Sequence, residues 1–489
     1  MKSGPAVVKA KPAPIDPLVQ IIEAGGRTAR ARVLGVLQTE NQPWQTRVDY
    51  GISLRGASPF AGHAAWAPAP ERPDPVALLI SGNKGRVSRL VSLRMARMAA
   101  SPFAFLRGAA TVMAWDLART PSTGVNVVIA GDAHIDNFGL FGTPQGDVVI
   151  DINDFDEVAV GPWEWDIKRL TASIDVAGRV FGFDRKSRRK AVVACVAGYR
   201  WNLDRLRGMP ILDLWRQHTL ANRLAEKGEN LDQASRKALR RAIKDAKASD
   251  NIAALAKLTE RDGDGRRRFK TTPPMLTPVT GVERERVLKA LRAYLHTLSP
   301  ERQYMLRRYH LTDVAHQVIG VGSVGMRVYL ALMMGAGDFD PLFLQIKEAG
   351  VPGHGPHVPA LPEAYRHEGR RVVFGQRLLQ AAGDPLLGWT EIDGRPYYVR
   401  QMRNRKGSIP LGAMAAKPFN VFVWAYGALL ARAHARSGDA AVISGYCGDK
   451  GDFDEALADW AEAYGDQTET DHAALVAAIK SGRVKAAAG

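Results

Sequence analysis

The sequence predicts an α+β fold in two unequal parts, and three observations carry that expectation. Charged, amphipathic stretches with helical spacing fill residues 87–100, most of 163–298 and the stretch from Phe419 to Lys480. Runs rich in branched and aromatic residues, the mark of strands, concentrate between Ala315 and Gln401. A shorter strand cluster lies at Val125 to Ala130 and Asp147 to Ile152.

Composition narrows the class. A chain of 489 residues can bury two or three cores, and 46% hydrophobic with 24% charged residues is a globular balance rather than a disordered one. Residues 1–45 begin with a basic segment interrupted by Pro5, Pro12 and Pro14, without the apolar centre of a signal peptide, so a flexible tail is expected. The longest apolar stretch, Phe419 to Ala433, is too short to span a bilayer, so no membrane partner is expected. Cys195 and Cys447 are far apart and without a CxxC or Cys/His cluster, which argues against disulfide or zinc and for a cytoplasmic setting. A net charge of +17 favours anionic partners. The charge is spread over residues 236–247 and 266–270 without interleaved aromatics, so nucleic acid is a weaker expectation than a nucleotide or a phosphorylated substrate.

Along the chain, the Ala/Pro/Gly-rich residues 59–75 form a loop before a helix from Val87 to Ala100, which Ser101-Pro102 ends. Phe103 to Gly108 reads as a strand-like apolar run. From Trp163 to about Val180, Asp166, Lys168 and Arg169 alternate with Ile167, Leu170 and Ile174, which predicts a helix with one apolar face. Residues 185–310 read as a helical insertion, broken at Pro273, Pro274 and Pro278. Strands are expected at 315–320, 326–334 and 342–346, then a helix near 371–382. A hairpin turning on Asp393-Gly394 follows. The expected divisions are thus 46–184, 185–310, 311–406 and a closing helical segment 407–489.

Chemistry concentrates in the first strand cluster. Gly131-Asp132-Ala133-His134-Ile135-Asp136-Asn137 follows a strand, and Asp132 and Asn137 stand five apart, the spacing of phosphoryl-transfer catalytic loops. The next strand leads into residues 151–157, with four carboxylates in seven residues. Such density is costly unless a cation neutralises it, and hard oxygens suit Mg²⁺, so Asp151 and Asp154 are metal candidates.

The strings GDAHIDNFG and NDFDEVAVGPWEWDIKRL resemble the catalytic loop and metal-binding segment of the aminoglycoside-phosphotransferase and choline-kinase-like superfamily. Together with SPFAFLRG, YYVRQM and LARAHARSGD they resemble one uncharacterised bacterial family of that protein-kinase-like superfamily. The resemblance implies a two-lobed kinase-like fold, ATP and Mg²⁺ as cofactors, and a phosphate-accepting substrate. It further implies Asp132 as catalytic base, Asn137 and Asp154 as metal ligands, and Asp166 as a structural anchor. His134 is either a helper in catalysis or a hydrogen-bonding turn residue. Arg107 either reaches phosphate or forms a buried ion pair.

A kinase also needs a glycine-rich lid and a lysine. Gly320, Gly322 and Gly325 form a GxGxxG with Ser323 inside it, whose backbone amides would approach phosphates. A dinucleotide fold uses the same spacing, but there a helix opens at the third glycine, whereas Met326 to Leu330 reads as a strand. The next strand ends in Lys347, placed like the phosphate-binding lysine of kinases, with Glu363 or Glu368 as its partner. Lid and lysine lie downstream of the catalytic loop, so a circular permutation is expected, with Lys347 facing Asp154. Arg400, Arg403, Arg405 and Lys406 cluster after the hairpin, and His434, Arg436 and Asp439 form a second polar group. Each cluster is either functional or an ordinary polar surface or helix cap. Two alternatives stand beside transfer: a catalytically silent nucleotide-binding regulator, and a basic nucleic-acid-associated protein.

Overall fold

The computed structural model describes residues 42–227, 231–318, 324–359, 366–402 and 405–487. The expected tail, residues 1–45, lies mostly outside them, and its last two residues already belong to the helix Trp44–Ser53.

The architecture is mixed α+β. One long helix organises the larger, helical part: Trp163–Val180, called α1, is buried along nearly its whole length. Its expected polar face is therefore absent. Helices cover it on more than one side, and its charges are met internally: Asp166 by backbone N–H groups, Arg169 by Asp132, and Lys168 by the Trp460 ring at 4.7 Å. Two further long helices, α2 (Arg185–Leu206) and α3 (Ala416–Ala435), cross closely. Glycines allow the crossing: a Cβ on Gly198 would stand 2.1 Å from the Trp424 carbonyl oxygen, and one on Gly427 1.9 Å from the Cys195 carbonyl oxygen.

Two small antiparallel pairs are set into this part. Strands β1 (Asn126–Ile129) and β4 (Ala159–Pro162) pair, as do β2 (Phe138–Gly142) and β3 (Val148–Ile152). The sequence reading contained β1 and β3 but not β2 and β4, which are short and rich in glycine or end in proline. Phe103 to Gly108 is a helix, not a strand: Pro102 occupies its first turn and Ser101 accepts the Ala104 N–H at 3.1 Å.

The second part is one antiparallel sheet in the order β11-β12-β10-β9-β8-β7. Its strands are β7 (Leu276–Pro278), β8 (His310–Gln317), β9 (Val328–Met334), β10 (Pro341–Glu348), β11 (Gly388–Ile392) and β12 (Arg395–Gln401). The hairpin at Asp393-Gly394 joins β11 to β12, with Asp393 at φ +50° and Gly394 at φ +72°, the conformation this turn requires. Helix Glu368–Leu379, between β10 and β11, lies against β11 and β12. One sheet face packs Tyr329, Leu344 and Val399 against Val287 and Tyr294, from the helix Gly281–Leu295. The other face packs Phe343 and Leu332 against Leu255, from Asn251–Leu258.

Residues 185–310 are therefore not wholly helical. They contribute the hairpin β5 (Thr259–Arg261) and β6 (Arg267–Phe269), and β7 extends the main sheet. Three-residue strands made of Thr, Glu, Arg and Phe carry no alternation long enough to read. No helix among the described residues is long and apolar enough to cross a membrane.

Candidate active site

The loop after β1 is tied down by α1. Asp166 accepts the Ala130 N–H at 2.6 Å and the Gly131 N–H at 2.9 Å, and His434 Nε2 lies 3.2 Å from the same carboxylate. Gly131 sits at φ +76°, where a Cβ would stand 2.0 Å from the Glu157 carbonyl, so only glycine lets the loop lie against residues 153–157.

On this loop Asp132 receives Arg169 Nε on Oδ1 at 2.6 Å, and His134 Nε2 is 3.6 Å from Oδ2. Burial, only partly opposed by Arg169 and reinforced by Glu157 and Asp154, pushes the Asp132 carboxyl up to about 7. His134 is buried, and desolvation with the nearby Arg169 and Arg107 keeps its imidazole neutral, its pKa well below the usual value. The Asn137 amide donates to the Asp132 carbonyl at 2.7 Å, while the Asn137 carbonyl accepts the Asn153 N–H at 2.8 Å. This last bond sets Asn137 against the segment that carries Asp154. Asp154 is half-buried, and its Oδ1 accepts the Asp156 N–H at 3.2 Å.

Lys347 reaches the same segment from the sheet. It projects from β10, is buried, and its ammonium meets the Asp156 carboxylate. Tyr398, its cross-strand neighbour on β12, donates to the other Asp156 oxygen at 2.9 Å. Burial opposes the lysine charge, but Asp154 and Asp156 outweigh it and raise the Lys347 pKa. Arg400, also on β12, donates from Nε to Gln345 at 3.2 Å, and Gln345 donates to Gln317 at 2.9 Å. The charges of Lys347, Arg400 and Asp154 all act on Lys406, whose ammonium is lowered to about 7 by burial first and Arg400 second.

Asp132, His134, Asn137, Asp154 and Lys347 thus fall in one neighbourhood. Other expected positions lie elsewhere. The Asp151 carboxylate is buried in β3, where it pairs with Arg432 and accepts the Ala381 N–H at 3.1 Å, so it is committed to the interior. Arg107 forms a half-exposed pair with Asp136 at 2.9 Å on the outer edge of the loop, not a buried pair. Glu368 pairs with Arg371 rather than Lys347. Of the expected lid, Gly320, Gly322 and Ser323 lie outside the described residues, as do Glu363 and Arg403. Gly325, at φ +90°, accepts the Val87 N–H at 2.7 Å. The second polar group disperses: His434 faces Asp166, Arg436 donates to the Leu378 carbonyl at 2.7 Å, and Asp439 caps the helix Ala440–Cys447 and pairs with Arg47 at 2.8 Å.

The sequence reading missed Arg169, Asp156 as the lysine partner, and Tyr398. Only Asp156 carried a local signal, its place in the acidic run. Among the described residues no three His, Cys, Asp or Glu side chains cluster as a metal cage. The donor set suits a different mode: Mg²⁺ takes one or two protein oxygens and completes its shell with phosphate and water. Asn137 Oδ1, which receives no hydrogen bond from a described residue, and the Asp154 carboxylate are the oxygens that would serve in that mode.

Comparison with known proteins adds a family. No curated protein and no solved structure matches the chain. The model of the family described as "Uncharacterized protein conserved in bacteria (DUF2252)" matches residues 86–478, and the chain belongs to that family.

Proposed function

We propose that the protein is an ATP- and Mg²⁺-dependent phosphotransferase of kinase-like, two-lobed and circularly permuted fold, acting on a hydroxyl acceptor. The observation that carries this reading is the meeting of Lys347 with Asp156, across 191 residues of chain and directly beside Asp154. A lysine on the third strand of a small lobe is where kinases keep the lysine that binds phosphates, and here it meets the segment that also carries Asp154.

The strand order supports it further. From β8 to β12 the chain runs strand, strand, lysine strand, helix, strand, strand, the succession of a kinase small lobe. The part with the catalytic loop precedes it, hence the permutation. On this reading residues 46–184 and 407–489 form the large lobe, 311–406 the small one, and 185–310 an insertion that also lends β7 to the small lobe.

Each residue has a task. Arg169 fixes the Asp132 carboxylate through Oδ1, and Oδ2 has the neutral His134 ring as its neighbour at 3.6 Å. A carboxyl near pH 7 is matched to taking a proton from an attacking hydroxyl. Lys347, with Arg400 beside it, offers cationic donors to phosphate oxygens. Bound Mg²⁺, on Asn137 and Asp154, would neutralise charge on the phosphates, and ATP would supply the phosphoryl group.

Incubation with γ-labelled ATP and Mg²⁺ tests the proposal, reading ATP turnover, self-labelling and transfer to extract metabolites. Wild type should turn over ATP or label a product, and Asp132→Ala and Lys347→Ala should not. Nucleotide binding without any product would favour the silent regulator. Absence of nucleotide binding would remove the kinase-like reading.

A further inference from the structure

A cavity of about 730 Å³ lies beside the candidate active site, between the helix Gln233–Ala248 and residues 406–410. That volume suits a small organic molecule. Ala234, Ala238, Ala242 and Ala246, each four residues apart, form one smooth wall. The opposite wall is pinned at Gly407, whose N–H and carbonyl bond Leu140 of β2 at 3.0 and 2.8 Å, three residues beyond Asn137. A Cβ on Gly407 would stand 2.9 Å from the Ala246 Cβ, so glycine and alanine together set how near the walls come.

The charged side chains on the cavity wall are Lys237, Arg241 and Lys406 against Asp245. Lys406 makes no hydrogen bond with a described residue, and it feels Arg400 and Lys347 on the one hand and Asp154 and Asp384 on the other. Lys237 and Arg241 stand at the exposed rim, Arg241 loosely paired with Asp245 at 3.8 Å. Alanines favour an apolar body, and a half-buried ammonium with no hydrogen-bond partner among the described residues favours an acid group on it.

We propose that this cavity seats the phosphate acceptor, and that the acceptor is a small organic acid, an apolar body with a carboxylate or phosphate held by Lys406. The proposal rests on the phosphotransferase reading for the word acceptor, and on the cavity alone for the class of ligand. Lys406 belongs to both places: it lines the cavity and shares its surroundings with Asp154 and Lys347, so a molecule anchored on it has its hydroxyl end near the phosphate donors.

The test uses the full chain and two probes of one shape: 8-anilinonaphthalene-1-sulfonate, an apolar anion, and N-phenyl-1-naphthylamine, the same body without the acid. The anion should bind at one site per chain, at least about tenfold more tightly than the neutral probe, the worth of one charged hydrogen bond. Lys406→Met should remove that preference. Ala238→Phe, which fills the cavity, should abolish binding while leaving Mg²⁺·ATP binding unchanged. Ser408→Phe, from the other wall, repeats this result should Ala238→Phe not fold. Equal binding of the two probes, or anion binding that survives both filled cavities, overturns the proposal. ATP turnover in the same samples separates the two readings: it should fall as the anion saturates. Turnover indifferent to a saturating anion overturns the acceptor role. Absence of nucleotide binding, with anion binding intact, removes the phosphotransferase reading and leaves a binding site for organic acids.

Discussion

Two lysines of this molecule are equally hidden and oppositely treated. Lys347 is 1% exposed and Lys168 is 0% exposed. Lys347 stands against Asp156 and beside Asp154, which keep its ammonium charged against the cost of burial. Lys168 has no hydrogen-bond acceptor among the described residues, lies over the Trp460 ring, and burial lowers it to about 7, with Glu164 opposing. Burial alone thus removes charge from a lysine, and a buried lysine that stays charged marks a place where negative charge has been gathered around it. In the helical core nothing gathers it, whereas at the tip of β10 two carboxylates from a distant segment do.

The largest way to break this contrast is Lys347→Met. It takes the ammonium from Asp156, which is half-buried and keeps the Tyr398 hydroxyl, so denaturant unfolding should show a loss of about 1–3 kcal/mol, and phosphate transfer should disappear. Adding Asp156→Asn should recover most of the stability and none of the transfer. Recovery of transfer in the double variant would mean that Lys347 serves the fold alone.

Asp132→Asn should lower turnover by about 10²–10⁴-fold while nucleotide binding persists. In wild type, turnover requires the ionised carboxylate, so it should rise as pH increases through about 7. A turnover flat from pH 6 to 8 would contradict the assignment of Asp132 as base.

Lys168→Met sharpens the contrast from the other side. A lysine whose folded-state pKa is lowered binds fewer protons folded than unfolded between about 7 and its ordinary value near 10, so it makes stability rise with pH across that window. The variant should lose this rise, gain about 1–2 kcal/mol near pH 6, and keep wild-type turnover. Loss of stability at all pH values would show that the ring contact outweighs the cost of burial.

The smallest effect is expected from Glu368→Gln. Because Glu368 pairs with Arg371, nucleotide affinity should change by less than about twofold, with stability within about 1 kcal/mol. A large loss of affinity would restore Glu368 as the partner of Lys347.

Much of the candidate site was readable from local sequence, because its parts are short motifs fixed by one loop or one strand end. Asp132, Asn137 and Asp154 sit within such segments, and Lys347 ends an apolar strand. The division into a helical part and a β-rich part was legible for the same reason, since long periodic runs carry it. What stayed hidden were partners chosen by tertiary packing. Arg169 looked like the polar side of an amphipathic helix until other helices enclosed it, and Asp151 looked like a metal ligand until Arg432, 281 residues away, claimed it. Short strands escaped as well: β2, FGLFG, gives an apolar run with two glycines and no alternation, and β5 and β6 are three residues each.

The central claim, that Lys347 and Asp154 hold the two sides of one Mg²⁺·ATP site, is tested most directly by calorimetric titration of ATP into wild type, Lys347→Met and Asp154→Asn, each with and without Mg²⁺. The account predicts one site in wild type that needs Mg²⁺, loss of affinity by at least about tenfold in Lys347→Met, and loss of the Mg²⁺ requirement in Asp154→Asn. Binding that ignores both Mg²⁺ and the two substitutions would contradict it.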